Sequence, residues 1–105
     1  MDKIPAKIQK LIKKYIDALE DNNVPIRQAV LFGSHATGSS HDWSDIDIAL
    51  VSDVFEGMRF RDRNKIRKIT IRISSDLSPL PYRTEDFTPD DPFVREILKT
   101  GINIV

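Results

Sequence analysis

Two apolar runs separated by a polar, small-residue stretch occupy residues 30 to 51, and that segment limits the possible folds more than any other. The first run, Val30-Leu31-Phe32, stops at Gly33-Ser34. After ten residues the second begins, Asp45-Ile46-Asp47-Ile48-Ala49-Leu50-Val51, alternating with period two and rich in β-branched residues. That alternation predicts a strand. It sets Asp45 and Asp47 on one side and turns Ile46, Ile48 and Leu50 the other way, into a core. Arg27 to Phe32 reads as an earlier strand that Gly33 ends. Ser34 to Ser40 has room for one helical turn, and His41-Asp42-Trp43-Ser44 reads as a polar loop.

The flanking sequence is helical on one side and mixed on the other. Ile4, Ile8, Leu11, Ile12, Tyr15, Ile16 and Leu19 recur at helical spacing, with lysines largely opposite, so residues 3–20 form an amphipathic helix. Asp21-Asn22-Asn23-Val24-Pro25 ends it. Residues 59–75 fit either period, because Ile66, Ile69 and Ile73 suit a helix and Ile69, Ile71 and Ile73 suit a strand. The good helix formers of Arg59 to Lys68 favour the helix. Residues 76–82 follow, and Pro79 and Pro81, two apart, remove backbone donors from one edge only, which suits a short edge strand. Asp91 caps a last helix with Pro92 at its first position. Gly101 is expected to stop that helix in a left-handed conformation, and Ile102-Asn103-Ile104-Val105 to add a final strand. This alternation gives an α/β (α+β) fold, a small mixed sheet flanked by helices. With 105 residues, 40% apolar and 30% charged, residues 1–105 are expected to form a single domain.

Charge and composition exclude several classes of function. Sixteen Lys and Arg balance sixteen Asp and Glu, so no net positive field argues for nucleic acid as the main partner. The absence of cysteine excludes disulfides and thiolate zinc sites, and suits a reducing cytoplasm. No apolar run approaches the ~20 residues of a membrane span.

The chemistry resides in Gly33-Ser34 and Asp45/Asp47. Gly33 permits a sharp turn and lets a ligand approach the main chain. Ser34 opens the helical turn, where a hydroxyl and backbone donors suit phosphate oxygens. Asp45 and Asp47, about 6.5–7 Å apart along one strand face, repel each other unless a cation sits between them. Hard ions such as Mg²⁺ take oxygen ligands and suit triphosphates. Carboxylates that hold a metal, beside a turn that holds phosphates, are equipment for nucleotidyl transfer.

Val30 to Gly38 and Ser44 to Val51 together resemble the signature of the polymerase β-like nucleotidyltransferase superfamily. The size and layout resemble its minimal (MNT) branch, whose usual ending Asp91 to Gly101 also resembles. The resemblance implies ATP or another nucleoside triphosphate as donor and two Mg²⁺ ions. It implies phosphate contacts at Gly33 and Ser34 and metal ligation by Asp45 and Asp47. It further implies a HEPN-domain toxin as partner, adenylylated on a tyrosine. The superfamily supplies a third carboxylate from a neighbouring strand. Here Ser78 stands where that acid is expected, and Asp76, two residues earlier on the same face, is the candidate for third ligand or base.

Other residues have simpler readings. His35 follows Ser34 and can touch phosphate but is expected to be exposed, Trp43 to pack under its loop rather than stack on a base, and Tyr82 and Phe87 to pack. The basic run from Arg59 to Lys68 reads as a solvated helix face that can also meet an acidic partner or the triphosphate. The apolar stripe of the first helix is core, or partly the interface of a homodimer. Two rival functions stand beside the enzyme. One is a binding module that neutralises its partner by contact, favoured by Ser78. The other is a small-molecule nucleotidyltransferase, disfavoured because about 12 kDa leaves no acceptor domain.

Overall fold

The period-two and helical stripes resolve into four strands and four helices in a computed structural model that describes residues 4–37 and 45–105. Helix α1 (Ala6–Asp21) buries Ile12, Tyr15, Ile16 and Leu19, the predicted stripe. Strand β1 (Gln28–Phe32) leads through Gly33 into a single turn, α2 (Ser34–Thr37). Strand β2 (Ile46–Ser52) is followed by α3 (Arg59–Ile73), β3 (Leu77–Arg83), α4 (Pro92–Thr100) and the two-residue β4 (Ile102–Asn103). The ambiguous segment is a helix. It buries Asp62, Ile66, Ile69 and Thr70, spaced by three and four, and leaves Ile71 exposed.

The sheet is mixed, in the order β3-β2-β1-β4. β1 runs antiparallel to both β2 and β4, and β2 runs parallel to β3 across the α3 crossover. One face carries Ala29, Leu31, Ile46, Ile48, Leu50 and Leu77 against α1 and α3. The opposite face carries Val30, Ala49, Val51 and Tyr82 against Val94 and Ile97 of α4. Both faces are covered, which is why β2 is buried at every position after Asp47. The aspartates therefore share their face with a second, smaller core. β3 is an edge strand, as the prolines required. The Ile46 N–H bonds the carbonyl of Asp76 (2.8 Å), so residues of that parity face β2, and Pro79 and Pro81 turn their missing donors outward.

Asp91 caps α4, its Oδ1 accepting from the Phe93 N–H at 2.8 Å. Gly101 departs from expectation. Its φ is −80° and ψ 170°, an extended rather than left-handed cap. The glycine is needed for space instead. A Cβ there would run into the Ile97 carbonyl and approach Val30 Cγ1 at 2.5 Å and the Leu31 carbonyl at 2.9 Å.

Inside the basic helix α3, Asp62 is fully buried. Its two oxygens accept from the N–H groups of Glu56 (2.8 Å) and Gly57 (3.0 Å), tying the β2–α3 loop to the first turn of the helix. Tyr15 joins α1 to α3 through a 2.6 Å hydrogen bond between its hydroxyl and Thr70 Oγ1, and burial pushes the phenol up to about 12. No helix among the described residues is long and apolar enough to cross a membrane.

Candidate active site

The site forms where β1 ends and β2 begins, because antiparallel pairing sets Phe32 opposite Asp47. The chain then has to turn immediately, and Gly33 does so at φ 73°, in the left-handed region that side chains resist. Its missing side chain also makes room. A Cβ at Gly33 would run into Asp47 Oδ2 and lie 3.3 Å from Asp47 Cγ. Ser34 follows at the first position of α2, half-buried, and the Ala36 N–H closes the turn on the Gly33 carbonyl at 3.1 Å.

Asp45 is exposed and Asp47 half-buried, two residues apart. Burial pushes the Asp47 carboxyl above the usual carboxylate range, and the charge of Asp45 pushes it further. A hydrogen bond from Ser78 and the nearby imidazole of His35 pull the other way. Ser78 stands directly opposite Asp47 in the parallel register of β3. The position expected to carry a third acid thus carries a hydroxyl that bonds the second.

Asp76 occupies the turn ahead of β3 and is exposed. Its carbonyl holds Ile46, and its own N–H bonds Ser74 Oγ at 3.1 Å. Continuing the Ile46–Leu77 register by one residue sets Asp76 beside Asp45. Among the described residues, no three His, Cys, Asp or Glu side chains gather into one metal cluster. The structure therefore brings together Gly33, Ser34, Asp45, Asp47 and Ser78, with Asp76 at the outer margin. His35 differs from expectation. It is only 8% exposed and lies within electrostatic reach of Asp47, not out in solvent. Its place after Ser34 in a one-turn helix was the only signal available. His41 and Trp43 lie outside the described residues.

A divalent cation fits this arrangement. The donor set is hard oxygen, from two carboxylates and a serine hydroxyl, which is what Mg²⁺ prefers. Burial is the main cause that raises the Asp47 carboxyl, and the like charge of Asp45 that adds to it is the part a cation would relieve. The space left by Gly33 lets the carboxylate sit against the main chain where phosphates would arrive.

Known proteins share this layout. A protein provisionally named a protein adenylyltransferase in Methanocaldococcus jannaschii is 43% identical over 47 residues, which are 44% of this chain and 47% of that protein. The match thus spans about half the length of that relative. A crystal structure of a provisionally named nucleotidyltransferase from Sulfolobus solfataricus superposes with a TM-score of 0.62 at 20% identity, covering 92% of this chain and 78% of that one. A toxin–antitoxin structure with AMP-PNP gives 0.58 at 22% identity, covering 92% and 72%. The toxin–antitoxin MntA–HpeT, in a mutant with two aspartates changed to glutamate, gives 0.55 at 20% identity, covering 89% and 71%. At these identities the likeness to the three structures is one of fold. The family model described as nucleotidyltransferase domain matches residues 12–103, from the buried stripe of α1 through both aspartates to β4, and the chain belongs to that family.

Proposed function

We propose that this protein transfers AMP from ATP onto a hydroxyl of a partner protein, and that the partner is a HEPN-domain toxin, adenylylated on a tyrosine. The observation that carries the reading is the crowding of Asp47. Its carboxylate fills the space a Gly33 side chain would need, and burial, with the charge of Asp45 added, pushes it up, an arrangement a cation would relieve. Membership of the nucleotidyltransferase family supports the reaction type. The partner is supported by the names of the relatives, a protein adenylyltransferase and two toxin–antitoxin complexes, one of them with AMP-PNP.

In this reading Asp45 and Asp47 would hold Mg²⁺, two ions being expected, and the metal would supply neutralisation of the charge on the phosphates. Gly33 and Ser34 orient the β- and γ-phosphates at the start of α2. Ser78 fixes the rotamer of Asp47. Asp76, beside Asp45, accepts the proton of the acceptor hydroxyl. The hydroxyl oxygen bonds the α-phosphorus as the bond to the bridging oxygen breaks, and pyrophosphate leaves.

Labelled ATP, Mg²⁺ and a HEPN-domain protein test this directly. Label should pass to the partner with wild type and be lost in Asp45→Asn and Asp47→Asn, both still folded. Asp76→Asn should slow transfer while Mg²⁺ binding persists. A second reading rests on Ser78, which leaves the site one acid short: the protein neutralises its partner by contact alone. That reading prevails if the Asp45 and Asp47 variants neutralise the partner as fully as wild type.

A further inference from the structure

Helix α3 carries seven Lys and Arg, and only Lys65 is held, by the Val54 carbonyl at 2.9 Å and by Glu56 at 3.7 Å. The other six make no ion pair or side-chain hydrogen bond among the described residues. Three of them form a row. Arg59, Arg63 and Arg67 follow at four-residue intervals, about 6 Å apart along the axis. Two large apolar side chains stand beside the row in solvent, Phe60 at 79% and Ile71 at 59% exposure. A groove of about 260 Å³ runs between this flank and the edge of β3, lined by Arg63, Asn64, Arg67, Thr70, Ile71 and Pro79.

Unpaired arginines interleaved with exposed apolar residues have the composition of a protein interface, where arginine and aromatics are enriched. The surroundings argue against a nucleic acid. Past Arg59 the surface opens into a cleft of about 550 Å³ that also holds Glu85, Asp86, Asp90 and Asp91. A phosphate backbone that continued along the row would run into those acids. A helix with carboxylates at one-turn spacing matches three arginines and can end before them.

We propose that this face of α3 docks an acidic amphipathic helix of the acceptor protein. Its carboxylates meet Arg59, Arg63 and Arg67, and its apolar side covers Phe60 and Ile71. The proposal rests on the reading that the acceptor is a protein, and docking is measured apart from transfer.

The probe is a short fluorescein-labelled helical peptide with glutamates four residues apart and leucines between them, followed by anisotropy. Reversing the row (Arg59→Glu, Arg63→Glu, Arg67→Glu) should weaken binding by roughly tenfold or more, since exposed pairs contribute modestly but three are inverted at once. The charge-matched control on the opposite flank (Arg61→Glu, Lys68→Glu, Arg72→Glu) should change it by less than about twofold. Ile71→Ser should weaken it as well. Equal losses in both triple variants, no peptide binding to wild type, or tighter binding of a single-stranded RNA of equal charge would each overturn the proposal. Mg²⁺-dependent ATP binding is read on the same proteins. Peptide binding without ATP binding defeats the nucleotidyl reading alone, and ATP binding without peptide binding defeats the docking face alone.

Discussion

Replacing Gly33 with alanine separates two demands that the site makes on one residue. The first is conformational. At φ 73° an L-residue with a Cβ costs about 1–2 kcal/mol. The second is steric. The new methyl would run into Asp47 Oδ2, so the carboxylate must swing away and give up its hydrogen bond from Ser78, worth about another 1 kcal/mol. Gly33→Ala should therefore cost roughly 2–3 kcal/mol and lower Tm by about 10–20 °C for a domain of this size. In an Asp47→Ala background only the conformational part remains, so the same substitution should cost about 1–2 kcal/mol there, a coupling near 1 kcal/mol. Urea unfolding followed by far-ultraviolet circular dichroism measures all four corners of the cycle. Gly101→Ala is the control. Its φ is ordinary, its clashes are with the carbonyls of Ile97 and Leu31 and with Val30, and it touches nothing at the site. It should lose stability while its folded fraction binds Mg²⁺·ATP normally. Equal costs for Gly33→Ala in both backgrounds would show that the glycine serves the turn and not the carboxylate. A cost under about 0.5 kcal/mol would remove the turn argument too, since even the left-handed backbone alone exceeds it.

Three further outcomes follow from the same structure. Because the folded state raises the Asp47 carboxyl, ionised Asp47 opposes folding, and its contribution is favourable only in acid and is lost as pH rises through the raised folded value. Asp47→Asn should thus be more stable than wild type at neutral pH without metal, with the gap closing toward acid and Mg²⁺ stabilising only wild type. Tyr15, at about 12 when folded against 10.0 ordinarily, contributes stability that is fully present below pH 10 and lost as pH rises toward 12. Alkaline unfolding profiles of wild type and Tyr15→Phe should converge across that window, and a parallel pair of curves would refute it. Asp62→Ala strands two backbone N–H groups at about 1–3 kcal/mol each, so urea unfolding should register a loss of roughly 2–6 kcal/mol. A loss comparable to that of a neighbouring surface arginine would mean the carboxylate is dispensable.

What could be read from the chain depended on whether a residue's role shows in its own neighbourhood. β2 was legible because alternation in Asp45 to Val51 is a local pattern, and the cap of α4 because Asp91-Pro92 is one too. The assignment of α3 needed the burial of Asp62, Ile66, Ile69 and Thr70 to decide between two fitting periods. Asp62 itself escaped notice. Surrounded by arginines it reads as one more solvated charge, and its partners are backbone groups that carry no side-chain signature. Gly101 misled because a helix stop is the usual reason for glycine there, whereas the approach of α4 to β1 depends on a strand far away in sequence. The burial of His35 is of the same kind, set by tertiary packing and not by its neighbours. The family resemblance put Ser78 where a third acid is expected, and the parallel register sets it opposite Asp47.

The two prolines of β3 have a consequence for how the protein behaves at high concentration. A chain with formal net charge zero has little long-range repulsion to keep its copies apart. An exposed strand edge in such a chain is a template on which further strands can add, and the usual remedy is charge. Here the remedy is covalent. Pro79 and Pro81 remove two successive outward donors from the β3 edge, so an incoming strand finds acceptors with nothing to exchange. At the other edge, β4 offers only two residues, Ile102 and Asn103. Among the described residues both edges of the sheet thus offer an incoming strand little to pair with, by means that neither salt nor pH can titrate away.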